Sequence, residues 1–324
     1  LGALLGALLG GFVLLPSLGV EASLFAVATS YGLVALVTVR LARPVARAAL
    51  LTGTAAYAVA LAAFPFGLMT RSYLGPALDR WRTPAWEVIG RREGPSETVV
   101  YLRQSLWGRP VEYRLFTNGY SMSGTGYAAA RYMRLFAYWA SALHPAPRRA
   151  LLISFGVGAT AEALTDDARL RSIDVVDVSR DILGLGRLVF SDRPYPLDDP
   201  RVRVHVEDGR FFLQTTRASY DLITAEPPPP KAAGIVNLYS REYFELVRAR
   251  LAPGGLATHW LPVYQMEGPE SLAVVRAFCE VFSDCSLWNG AGFEWMLAGS
   301  RDARGPVPAE VLARQWGDAV VGPE

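Results

Sequence analysis

Four acids and two glycines fall where apolar runs of this chain end, and those are the residues with chemistry to offer. Gly156-Val157-Gly158-Ala159-Thr160-Ala161 leaves one apolar run and enters a helical pattern. Glycines at such a point allow a tight turn and close backbone approach, with the N–H groups of the next helix facing a ligand. Asp177 ends the following apolar run about twenty residues on, the distance at which an acid reaches both hydroxyls of a ribose. A tight turn with an unrelated surface acid would look similar, but strand, glycines, helix and acid occur here in the order a nucleoside site requires. Glu207-Asp208-Gly209-Arg210 ends a third run. Asp208 there suits an adenine amino group, or else caps a helix over Phe211–Thr215. Glu226-Pro227-Pro228-Pro229-Pro230 ends a fourth, where Glu226 is the only residue able to move a proton and a proline run would stiffly wall a pocket.

The elements that must hold these residues follow from the periodicity. EVIGRREG, SETVVYLRQ and PVEYRLFTNGYS alternate like a small β-region, with Asn118-Gly119 as a hairpin turn. Tyr127–Leu143 repeats its apolar residues at three and four, a helix closed by His144-Pro145. ALLISFGVG, SIDVVDVS, RVRVHVEDG, YDLITAE and GGLATHWLP then read as five strands, several separated by helical patterns. Strands buried on both faces with helices between them make a doubly wound, mostly parallel sheet, whose ligands sit outside the carboxyl ends of the strands. Ala252-Pro253-Gly254-Gly255 is a turn before the fifth strand. The expected organisation is transmembrane helices over 1–69, a linker and small β-domain over 70–125, a nucleoside-binding domain over 126–300 and a tail over 301–324.

Of the 324 residues 51% are hydrophobic and only 19% charged, too apolar for one ordinary soluble domain. The excess is local, since residues 1–69 carry only Glu21, Arg40, Arg43 and Arg47 as charged side chains. Leu1–Val20, Ala22–Val39 and Ala48–Met69 each have a length suited to the bilayer, so a lipid partner is expected. The chain opens without Met and reads as a fragment of a longer membrane protein. Gly2, Gly6 and Gly10 recur at a spacing that lets helices approach closely in lipid. The Arg40, Arg43, Arg47 loop and the arginines from Arg71 to Arg92 pull the topology in opposite directions. Cys279 and Cys285 form no metal-ligand spacing with the three histidines, so free buried thiols and no metal are expected. A net charge of +2 gives no nucleic-acid footprint.

The acid-Asp-Gly after strand three and Leu251-Ala252-Pro253-Gly254-Gly255 before strand five resemble the Rossmann-like class I S-adenosylmethionine-dependent methyltransferase fold more than an NAD dehydrogenase. Within it, DDPRVRVHVEDGRFFL, YDLITAEPPPP and NLYSREYFELVRARLAPGG resemble the spermidine synthase family of polyamine aminopropyltransferases, in its membrane-anchored bacterial branch. The likeness runs from about Val88 to Ser300, including the small β-domain that the family carries. It implies that Gly156 and Gly158 cradle the nucleoside, Asp177 holds the ribose, and Asp208 with Gly209 meets the adenine. It implies an acceptor pocket around Tyr132, Arg134, Val157, Pro229, Tyr264 and Gln265, with Glu226 as catalytic acid. Implied ligands are S-adenosylmethionine, its decarboxylated form or methylthioadenosine, with a small amine as partner and room for a homodimer.

Three departures bear on the reaction. The family's loop after the fourth strand carries a second acid that positions and deprotonates the amine, and Pro229 stands there. Its glycine loop carries an acid for the donor's amino group, where this chain has Val157. Its upstream helix carries Tyr-His-Glu, here Tyr132-Met133-Arg134. The expectation is a nucleoside site that persists beside a polycation site of changed sign. The chain is then a membrane-anchored alkyl or aminopropyl transferase; the rival is a nucleoside-binding sensor without turnover, and an NAD-dependent oxidoreductase rests on the glycine pattern alone. The soluble domain is expected on the cytoplasmic face of a bacterial inner membrane, where the nucleoside is made.

Overall fold

The computed structural model describes residues 1–41, 44–81, 83–231, 234–302 and 308–319. The chain forms two compact units, one of Leu1–Tyr101 with Phe116–Ser121, the other of Leu102–Leu115 with Met122–Glu324.

In the first unit helix α1 (Gly2–Leu41) is apolar and long enough to cross a membrane, and it alone passes that test among the described residues. Unbroken, its 40 residues would measure about 60 Å, twice a hydrocarbon core. It is broken at Gly19 (φ 78°, ψ 175°), close to where the first two apolar segments were expected to meet. There the Glu93 carboxylate accepts from Val20 N at 2.5 Å. Helix α2 (Pro44–Ala62) lies against α1, and the Tyr57 hydroxyl donates to Ala28 O at 2.8 Å. It ends seven residues before the expected Met69, because Pro65 cannot continue a helix. The chain turns there on Glu21, whose carboxylate accepts from Gly67 N (2.7 Å) and Met69 N (2.5 Å). A Cβ at Gly2, Gly6 or Gly10 would meet nothing within 4 Å, so the small-residue face is open among the described residues.

Strands β1 (Trp86–Glu93), β2 (Thr98–Leu106), β3 (Arg109–Thr117) and β4 (Tyr120–Gly124) form a four-stranded sheet in that order. Asn118 (φ 50°) and Gly119 (φ 81°) both adopt left-handed conformations, as a two-residue hairpin turn demands. The Asn118 side chain also accepts from Thr98 N at 2.9 Å.

The second unit is built on a seven-stranded sheet. Helix α3 (Tyr127–Leu143) precedes β5 (Arg149–Ile153), α4 (Ala159–Asp166), β6 (Ser172–Asp177), α5 (Arg180–Leu185), β7 (Val202–Val206), α6 (Gly209–Thr215), β8 (Tyr220–Ala225), α7 (Arg241–Arg250), β9 (Leu251–Pro262), α8 (Gly268–Val281), β10 (Ser286–Ala291), β11 (Glu294–Ser300) and α9 (Ala309–Trp316). The order is β10-β11-β9-β8-β5-β6-β7, with β5 to β9 parallel and the last two antiparallel. Buried Leu151, Ile153, Val176, Ile223, Phe244 and Phe278 belong to one core cluster on this sheet. The five expected strands are all present. β10 and β11 were not expected, and Ala252–Gly255 is an irregularity within β9, which pairs Leu251 with Tyr220 and then Leu256 with Leu222. The expectation of free thiols is also corrected. Helix α8 stops at Val281, and the turn after it brings Cys285 back to Cys279 with Cα atoms 5.2 Å apart, joined as a disulfide.

Candidate active site

The carboxyl ends of β5, β6 and β7 bring the nucleoside candidates to one edge. After Ile153 the chain turns through Ser154 (φ 73°), Gly156 (φ 56°) and Gly158 (φ 88°) into α4. A Cβ on Gly158 would stand 2.7 Å from Phe155 Cζ and 2.9 Å from Phe190 Cε2, so both conformation and space exclude a side chain. The Asp177 carboxylate accepts from Phe155 N and Ser179 N, both at 2.8 Å, and so ties the glycine turn to the end of β6. Burial pushes its carboxyl up, against those two N–H groups, which favour the ion. Asp208 is exposed and caps α6, accepting from Phe211 N at 2.8 Å. Gly209 has a packing reason of its own, because a Cβ there would meet Ile153 Cγ2 at 2.5 Å.

The β8 end carries the acid of the proline loop. The Glu226 backbone N donates to Ile153 O (3.1 Å), and its carboxylate accepts from the Thr160 hydroxyl, which also lies 2.9 Å from Met133 O. Burial pushes the Glu226 carboxyl up to about 8, with the Thr160 bond opposing and nearby Glu294 adding to the rise. Pro227 is buried and its carbonyl accepts from Tyr239 Oη at 2.9 Å, while Pro228, Pro229 and Pro230 are half-buried.

Strand register completes the site. Thr224 pairs with Thr258 and Ala225 with His259, so Glu226 continues on the face that carries Trp260. Trp260 pairs with Met296 and Pro262 with Glu294, which puts Glu294 on the same face. Trp260 Nε1 donates to Glu294 Oε2 at 2.8 Å, and Tyr132 of α3 stacks on the indole, with ring centroids 6.0 Å apart at 11°. Tyr132 is buried, and burial with Glu226 and Glu294 pushes its hydroxyl far up. Burial likewise raises Glu294, against its bonds to Trp260 and Tyr264. Tyr264, pushed up to about 12 by burial and Glu294, accepts from Gln265 Nε2 at 2.7 Å.

Val157 is fully buried. The Arg134 guanidinium pairs with Glu162 at 2.9 Å, and Glu162 also holds Arg193 at 2.7 Å. Thr160, Tyr239, Trp260 and Glu294 were missed from sequence. Trp260 was visible as the end of the fifth strand, but Glu294 begins an antiparallel strand, so its N-terminal end reaches the edge where parallel strands finish. Among the described residues no group of three His, Cys, Asp or Glu could hold a metal. The arrangement offers a tight backbone cradle, an acid on the adjoining strand, and an aromatic floor between two carboxylates.

The spermine/spermidine synthase domain matches residues 129–287. Polyamine aminopropyltransferase 2 of Pseudomonas aeruginosa is 32% identical over 155 residues, 47% of this chain and 44% of that protein. Polyamine aminopropyltransferase 2 of Streptomyces coelicolor is 29% identical over 96% of this chain and 54% of its own. The chain thus spans about half the length of the curated relatives it matches. Two solved structures share the fold: a spermidine synthase in complex with the transition-state analogue AdoDATO (TM-score 0.62, 17% identity, 72% of this chain and 80% of that one) and the spermidine synthase of Thermotoga maritima (TM-score 0.60, 16% identity, 72% and 79%). With a Rossmann-like sheet, a glycine turn and an acid-bearing strand end in their expected places, residues 129–287 of this chain form a spermine/spermidine synthase domain.

Proposed function

We propose that the second unit binds an adenosyl sulfonium along the β5–β6–β7 edge and transfers its aminopropyl or other alkyl group to an amine held before Glu226. The observation that carries this reading is Glu226 itself, an acid pushed up to about 8 that shares Thr160 with the helix leaving the glycine turn. The amine lone pair attacks the sulfonium-bound carbon, the C–S bond breaks, and its electron pair stays on sulfur as a neutral thioether. The proton released from the new ammonium passes to ionised Glu226, whose affinity suits that task near neutral pH. In this reading Gly156 and Gly158 receive the nucleoside, Asp177 holds the ribose, and Val178, exposed beside it, lies against the base with Asp208. The complex of a structural relative with AdoDATO supports an adenosyl ligand.

Pro229 and Val157 stand where the family places acids for the acceptor and for the donor's amine, so spermidine formation from putrescine is slow, below about 1 s⁻¹. α1 anchors the chain in a membrane, with the soluble part on the cytoplasmic face beside the adenosyl pool.

Calorimetry on the full chain in detergent tests the site. Methylthioadenosine binds and NAD does not, and Asp177→Asn weakens the nucleoside by about 1.5–3 kcal/mol, the worth of one charge-assisted hydrogen bond. NAD binding without adenosyl binding overturns the reading. Nucleoside binding with no transfer to any amine leaves a sensor in place of an enzyme.

A further inference from the structure

The loop after β8 has one acid, yet the face it joins has two. Glu226 directly follows β8, Trp260 lies on β9 and Glu294 opens β11, on one side of three adjacent strands. At about 4.8 Å per strand, and with Glu294 paired to Pro262 two residues beyond the level of Glu226, the backbones of the two glutamates stand roughly 12 Å apart. Trp260 fills the space between them, its N–H on Glu294 and its ring under Tyr132. Each glutamate raises the affinity of Tyr132 for its proton, so both act on the same small volume. The cation that would have reversed the sign of this volume, Arg134, is tied to Glu162 on α4.

We propose that Glu294 is a specificity-determining residue of the acceptor pocket, holding the far ammonium of a diamine whose near nitrogen faces Glu226. The proposal rests on the transferase reading above and deepens it. Glu294 lies beyond residue 287, where the match to the family domain ends, so the hairpin β10–β11 supplies from another part of the chain the charge that the proline loop lacks. Its carboxylate is prepared for a cation. It is partly buried, it is oriented by Trp260, and it borders an aromatic face that favours ammonium groups over water. A monoamine of the same length has no group for Glu294 to hold, so the residue sets a preference for two charges over one.

The test compares putrescine with n-butylamine by calorimetry on the full chain in detergent, with methylthioadenosine titrated separately. Gln at 294 still accepts from Trp260 Nε1, which keeps the wall in place. Glu294→Gln weakens putrescine about tenfold or more, while n-butylamine and methylthioadenosine bind as before. Glu294→Asp recovers part of the loss, and serves as the reporter if the Gln variant loses nucleoside binding and hence its fold. Unchanged putrescine affinity, equal weakening of both amines, or no putrescine binding to the unaltered chain overturns the proposal. If putrescine responds as expected but the unaltered chain binds no methylthioadenosine, the nucleoside reading fails and Glu294 remains an amine ligand.

Discussion

Glu226 is the residue whose charge changes within the range where cells work. With its carboxyl up at about 8, the folded protein keeps a proton that the unfolded chain releases near 4.5. Stability from this group is therefore complete below about pH 4.5 and falls as pH rises through 8, because the native state then binds more protons than the unfolded one. Thermal melting should show the unaltered chain losing more stability than Glu226→Gln between about pH 5 and 9; parallel losses would show that Glu226 is not held protonated. Activity has the opposite slope. A base must be ionised to take a proton, so the transfer rate should rise with pH toward a plateau above about 8, and Glu226→Gln should lower it by about 10²–10⁴-fold. A flat pH profile with an active Gln variant would remove Glu226 from the chemistry.

At the scale of elements, the strand ends decide what the site contains. Gly158→Ala places a side chain at φ 88° and against Phe155 and Phe190, so it should cost at least the roughly 1–2 kcal/mol of a left-handed L-residue and weaken nucleoside binding with it. Denaturation midpoints and calorimetry read the two losses; an unaffected variant would mean that the turn can open. The glycine turn, Asp177 and Glu226 were legible in sequence because a parallel strand announces its ligand end by where its apolar run stops. Asp208 was legible in both its roles, and the fold shows the capping one. Glu294 was not, since β10 and β11 mix polar and apolar residues over short lengths and run the other way. Arg134 was legible as a charge but its partner was not: a charge read along one helix says nothing of Glu162 on the next, with which it pairs. The disulfide escaped because a spacing of six residues suggests two turns of helix, whereas the helix stops two residues after Cys279.

For the whole molecule, the apolar first fifth of the chain should keep it in membranes through a carbonate wash, as befits α1 with its few charges. Release of the intact chain to the supernatant would make these helices something other than an anchor. For an anchored chain, the redox state of the pair Cys279 and Cys285 would report which face the second unit occupies. A bond of this kind persists in oxidising surroundings such as a periplasm and is reduced in a cytosol kept poised by glutathione or thioredoxin. Placement beside the cytoplasmic adenosyl pool therefore requires that living cells hold the two as thiols. Alkylation in intact cells before lysis should then label both cysteines. If the bond is found already closed, the domain lies outside, cut off from the cell's own sulfonium supply, and whatever nucleoside fills its cradle must be one that has left the cytoplasm.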